Sequence, residues 1–341
     1  MYRSVYIGLL MILTLSGCIY GPEQKTNRAI DPPPKHVERA YEQAVQATLQ
    51  KEATKKKETK GGVELYFLSN TGHVVPYTIH IPNVKGIAKE TLAYMVKGGE
   101  GEKLIPKGFS ALLPKGTKVL GLDIQNGTAT IDFSKEFLNY DPKLEEKILT
   151  AVTWTLTGFP SVEKVNIRVN GQPLEIMPHQ KNVAQGLTRH KGINVELSEG
   201  VNISQSIPVT LYFMGQTEEN QTYYVPVTRM INRTENIAEA SLKELIRGPK
   251  QQSNLVSPLD SSLKVNKVQQ TDEMVVADFD EHLLQYGNQQ QASKDAIETI
   301  SLCLTENTAL KKVRITVNGK KIHTETPQPM MRPKTINPIK S

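Results

Sequence analysis

Cysteine is nearly absent: only Cys18 and Cys303 stand in a chain of 341 residues. Two thiols so far apart cannot supply a disulfide framework, a cysteine-rich zinc site or a CxxC redox pair, so the cores must hold by packing alone. The chain also lacks a GxSxG elbow, a GxxxxGK phosphate loop and a GxGxxG after a strand. Acyl-transfer and nucleotide chemistry are thereby left without their structural parts. Its seven histidines, His36, His73, His80, His179, His190, His282 and His323, are dispersed, and no pair has the helical spacing with a glutamate that a zinc protease needs. No catalytic, metal-ligating or cofactor-binding residue is expected, and no cofactor. What remains is ordinary folded material: 38% apolar and 22% charged residues exclude wholesale disorder, and the length favours two domains. A formal charge of +6 is a mild excess, fitting an anionic envelope or membrane surface better than nucleic acid.

The apolar run Val5 to Leu15 follows a single basic residue, Arg3, and is too short for a comfortable permanent span, so it reads as an export signal. Directly after it, Leu15-Ser16-Gly17-Cys18 looks like a bacterial lipobox. Residues 1–17 are then the signal peptide and Cys18 the lipidated residue, whose acyl chains, palmitate among them, hold the protein on a membrane. Residues 18–62 read as a tether: Pro32-Pro33-Pro34, then Val37, Tyr41, Ala44, Val45, Thr48 and Leu49 at helical spacing. That helix is either an amphipathic contact or a solvated spacer.

The chain resembles itself. Leu65-Tyr66-Phe67 recurs as Leu211-Tyr212-Phe213, and Asp132-Phe133 through Tyr140 recurs as Asp278-Phe279 through Tyr286, both displaced by 146 residues. Val165, Ile167, Val169, Asn170 and Gly171 recur as Val313, Ile315, Val317, Asn318 and Gly319. A period this long means duplicated domains, not a solenoid. Within each copy the hydrophobic period switches in a fixed order. Strands at Leu65 to Phe67 and Tyr77 to Ile81 precede a helix ending at Gly98-Gly99. Next comes a hairpin around Asn126-Gly127, then a helix opened by Asp141-Pro142, then a strand closed by Asn170-Gly171. The expected class is α/β (α+β): two tandem two-layer sandwiches, each β-β-α-β-β-α-β with two helices on one face of a mixed sheet. The domains are placed at 63–177 and 208–325. Between them runs a linker, 178–207, with a suspected strand at Ile193, Val195 and Leu197, and 326–341 is expected to be disordered because its prolines carry no periodicity.

The Leu-Tyr-Phe start, Leu245-Ile246-Arg247-Gly248-Pro249, Asp132-Phe133-Ser134 and the strand-plus-Asn-Gly endings resemble the GerM family of sporulation and spore-germination lipoproteins with tandem GerMN domains. The first copy departs from it with Lys97-Gly98-Gly99-Glu100 in place of the glycine-proline turn. The resemblance implies a fold similar to the ring-building motif of secretion-system rings. It also implies a non-enzymatic envelope lipoprotein of the channel apparatus between mother cell and forespore, anchored on the extracytoplasmic face, in the intermembrane space during sporulation. Envelope proteins of that channel are its expected partners, with oligomerisation left open and no nucleic acid. The alternatives are a glycan- or germinant-binding module and a peptidoglycan-remodelling enzyme. For the latter, Asp132 with Glu136 and Asp278 with Glu281 are the carboxylates to weigh, although an aspartate there more often caps the following turn. Cys303 reads as buried filler, Trp154 as partial core, and Tyr140 and Tyr286 as candidate interface anchors.

Overall fold

The computed structural model describes residues 62–81, 86–284, 291–308, 310–324 and 327–339. Cys18, the tether and Tyr286 lie outside these residues. Residues 58–341 form one compact unit.

The first repeat opens with β1 (Val63–Ser69) and β2 (Val74–Ile79), followed by α1 (Ile87–Ala93), α2 (Glu100–Leu104) and β3 (Phe109–Ser110). Then come β4 (Val119–Gln125), β5 (Thr128–Phe133), α3 (Glu145–Leu156), β6 (Lys164–Val169) and β7 (Gln172–Pro173). Asn126 and Gly127 turn the β4–β5 hairpin with φ of 48° and 76°, values that both residue types tolerate. Asp141 accepts a hydrogen bond from the Lys143 amide ahead of α3, and Pro142 fixes the entering φ.

After β8 (Glu196–Leu197), the second repeat runs through β9 (Ser206–Gln216), β10 (Thr222–Asn232), α4 (Ile237–Arg247), β11 (Val265–Gln270) and β12 (Met274–Phe279). It finishes with α5 (Lys294–Asn307), β13 (Lys312–Val317), β14 (Lys320–Lys321) and β15 (Met330–Met331). The α+β class and the order of elements agree with the repeat pattern.

The expected single mixed sheet does not form. Each repeat holds two sheets: a hairpin sheet, β2-β1-β3 or β8-β10-β9, and a mixed sheet, β4-β5-β6-β7 or β11-β12-β13-β14 with β15 also on β13. In the mixed sheets the central pairs β5–β6 and β12–β13 are parallel. The reason lies in the helices. Helix α3 touches both β1 and β6, α5 touches both β9 and β13, and each buries more than one face. A helix that buries more than one of its faces must be covered on two sides, so it separates hairpin from sheet. The mixed sheets keep the expected alternation: Ala129, Ile131 and Phe133 are buried, as are Val275, Ala277 and Phe279, while the intervening residues stay partly exposed.

One other expectation needs correction. The segment 326–341 is ordered where it is described: β15 pairs antiparallel with β13, and Ile336 and Asn337 are buried. Extended chain bound through its backbone needs no hydrophobic period, which is why prolines there proved no sign of disorder. The linker 178–207 packs on both repeats: Leu187 exchanges both backbone hydrogen bonds with Val165 of the first, and the suspected strand forms as β8, parallel to β10 of the second.

Candidate functional site

The conspicuous built feature is a seam between the two hairpins. Val74, Pro76 and Thr78 of β2 turn their backbone groups away from β1, and Tyr224, Pro226 and Thr228 do the same on β10. Proline has no N–H, so Pro76 and Pro226 deny these edges the donors for a direct ladder. Two asparagine side chains supply the donors instead. Asn194 accepts from the Val74 amide (2.8 Å) and donates to the carbonyls of Val74 (2.8 Å) and Pro226 (2.7 Å). Asn337 accepts from the Tyr224 amide (2.7 Å) and donates to the carbonyls of Tyr224 (2.8 Å) and Pro76 (2.7 Å). Both asparagines are left-handed, with φ of 49° and 48°, a conformation that asparagine reaches more readily than most residues.

The neighbouring isoleucines complete a reciprocal exchange. Ile193, trailing the first repeat, donates its amide to Thr228 Oγ1 (2.9 Å) of the second. Ile336, trailing the second, donates to Thr78 Oγ1 (2.8 Å) of the first. Each repeat thus lays its C-terminal extension on the hairpin of the other. The first extension is fastened again by Glu196 of β8, which pairs at 2.6 Å with buried Arg229.

Arginines from both extensions meet at one carboxylate. Arg189 reaches Glu306 Oε1 at 3.0 Å and lies 4.4 Å from the Trp154 ring centroid, while Arg332 reaches Glu306 Oε2 at 2.7 Å. The Tyr212 hydroxyl adds a third bond to Glu306, at 3.1 Å. Burial pushes the Glu306 carboxyl upward, but the two guanidinium groups and the hydroxyl prevail and hold it below the usual range. Burial pushes the Tyr66 and Tyr212 phenols well up, which keeps both neutral. Open clefts of about 570 and 720 Å³ flank this triad and share Arg189 and Glu306 in their walls.

A signal for all this stood in the sequence: Arg189-His-Lys-Gly-Ile-Asn194 and Arg332-Pro-Lys-Thr-Ile-Asn337 share the pattern R-x-K-x-I-N, displaced by 143 residues. It escapes a search for hydrophobic period because polar groups and backbone carry it.

Of the residues singled out from the sequence, Trp154 lies at the seam beneath Arg189 and the others fall elsewhere. Tyr140 is half-buried, donates to Glu145 at 2.8 Å and packs edge-on against His179. Trp154 is 2% exposed, and Cys303 lies in the core with its thiol pushed up to about 12 by burial. Asp132 and Asp278 do not cap the turns after them. They accept from the amides of Gly171 (2.9 Å) and Gly319 (2.7 Å), bracing the Asn-Gly turns after the adjacent parallel strands. Glu281 joins the same brace through Asn318 at 3.0 Å. Among the described residues no group of three or more His, Cys, Asp or Glu is placed to hold a metal, and no helix is long and apolar enough to cross a membrane.

The fold and seam define a tandem α+β protein whose duplicated units are locked by exchanged extensions. Sequence comparison gives the family: the profile described as Germane, sporulation and spore germination, matches residues 64–175 and 210–323, and the chain belongs to that family. It is 34% identical to the spore germination protein GerM of Bacillus subtilis, over 96% of this chain and 95% of that one. A weaker likeness, 27% over 33% of this chain, is to lipoprotein LpqB of Cutibacterium acnes, of which the match spans 20%. Among solved structures, the tandem GerMN domains of the sporulation protein GerM from Bacillus subtilis align with a TM-score of 0.76 at 36% identity, covering 82% of this chain and 99% of that one.

Proposed function

We propose that the chain is a lipid-anchored, non-enzymatic assembly component of the cell envelope, acting in sporulation and germination at the boundary between mother cell and forespore. Cys18 carries the lipid, and the tether holds the paired units on the extracytoplasmic side. The observation that carries this reading is the seam. Two hairpin edges that could have recruited strands are consumed in joining the repeats, so the pair meets partners as one rigid block through its mixed sheets and helices. Family membership supplies the process, and envelope proteins of the sporulation channel are the proposed partners.

The test is complementation of a null strain in a sporulating host, scored as heat-resistant spores. Cys18→Ala should move the protein out of the membrane fraction and fail to restore sporulation; unchanged fractionation sinks the anchor. An Asn194→Ala/Asn337→Ala pair should stay membrane-bound yet fail to complement. Release of reducing ends from spore-cortex fragments by the purified protein would replace this reading with an enzymatic one.

A further inference from the structure

The two mixed sheets each leave one face open, and the faces differ in charge. On the first, Asp123 and Asp132 balance Lys164 and Arg168. On the second, strand register places Lys267, Gln269, Met274, Val276, Asp278, Lys312, Arg314, Thr316 and Lys321 together. Asp278 is already engaged by Thr316, Gly319 and Asn266. Lys312 pairs with Glu273 at 3.4 Å, whereas Lys267, Arg314 and Lys321 form no ion pair among the described residues. Cations therefore stand on three of the four strands of this face, Lys267 on β11, Lys312 and Arg314 on β13 and Lys321 on β14, with Met274 and Val276 partly exposed on β12 between them.

We propose that this face docks on an anionic phospholipid surface. Strands in a sheet lie about 4.8 Å apart, so Lys267 on β11 and Lys321 on β14 stand at opposite margins with two strands between them. A small anion would need convergent donors in a pocket, and this face has its cations spread apart instead. A plane of headgroup phosphates matches that spread, and the partly exposed Met274 and Val276 can lie against the headgroup layer while Asp278 stays engaged by Thr316, Gly319 and Asn266. The inference draws on the membrane-anchored reading for proximity, but its test does not use the anchor.

Residues 58–341 are the material, since they form one compact unit and the corresponding tandem domains of the Bacillus subtilis relative were solved by themselves. Co-sedimentation is measured with vesicles of phosphatidylcholine alone and with about 30% phosphatidylglycerol, at about 50 and 300 mM NaCl. Binding should need the anionic lipid and weaken in high salt. At about fivefold per cation, Lys267→Gln/Arg314→Gln/Lys321→Gln should lose on the order of a hundredfold. Lys164→Gln/Arg168→Gln on the first sheet should bind as the parent does. Far-UV circular dichroism, which follows both repeats, checks folding of each variant, and exposed Lys321→Gln alone should cost about fivefold if the triple variant misfolds. Equal binding to both vesicle types, or a folded triple variant that binds unchanged, overturns the proposal. So does capture by immobilised polyglutamate without vesicle binding, which would assign the face to an acidic protein. Failure here with Cys18→Ala still releasing the full chain would leave the anchor standing.

Discussion

Asn337→Ala tests the seam at its most exacting point. The side chain is nearly fully buried and serves three backbone groups: the Tyr224 amide and the carbonyls of Tyr224 and Pro76. A buried polar group left unsatisfied costs about 1–3 kcal/mol, and the lower figure applies wherever water can reach the opened seam. Alanine in the left-handed region adds roughly 1 kcal/mol. The loss should total about 4 kcal/mol, a large part of an ordinary domain's stability. Asn337→Gly separates the two terms. Glycine accepts φ of 48° without strain, so it should lose only the hydrogen bonds and unfold about 1 kcal/mol later than the alanine variant. The assay is urea unfolding of residues 58–341 followed by Trp154, the one tryptophan, which reports on the first repeat beside Arg189. Far-UV circular dichroism follows both repeats, so uncoupling should split transitions that coincide in the parent. A shift below about 1 kcal/mol for Asn337→Ala, with transitions still coincident, would refute the claim that this amide joins the units.

Gly192→Ala should be destabilising, because a Cβ there would stand 2.7 Å from Thr228 Cβ and the backbone has φ of 79°; we expect a loss of about 2–3 kcal/mol in the same urea assay, much of it from the left-handed strain and the clash. Glu306 is held below its usual range in the folded chain, so the unfolded chain takes up the proton first as pH falls. Its contribution is complete above about pH 4.3 and fades as the pH drops towards the folded value. Glu306→Gln should therefore flatten the acid limb of the stability profile while lowering stability at pH 7 by about 2–3 kcal/mol, since two partly buried guanidinium groups lose their counter-charge. Cys303, the one cysteine of residues 58–341, is fully buried with its thiol pushed up to about 12, so a maleimide at neutral pH should label it only after unfolding.

Much of this architecture was legible in the sequence, because much of it rests on hydrophobic period. Ile131 and Phe133 alternate against Thr130 and Asp132, Asn126-Gly127 marks its hairpin, and the repeat at 146 residues fixes the duplication. Layering was less legible. The stripe Ile148, Val152, Leu156 shows that α3 is buried somewhere, but Leu149 and Trp154 on its other flanks show that a second layer covers it, and that second layer keeps the hairpin from joining the mixed sheet. The extensions lay beyond periodic reading altogether. Residues 189–194 and 332–337 bind through single side chains and through backbone, so each carries one apolar anchor, Ile193 or Ile336, too few to show a period. Proline had two meanings the sequence could not separate. In 326–341 it looked like a disordered tail, whereas in β2 and β10 it strips the donors from strand edges and so creates the need that Asn194 and Asn337 meet. The six-residue match R-x-K-x-I-N was visible as identity alone, and its meaning required knowing that each copy would cross to the hairpin of the other repeat.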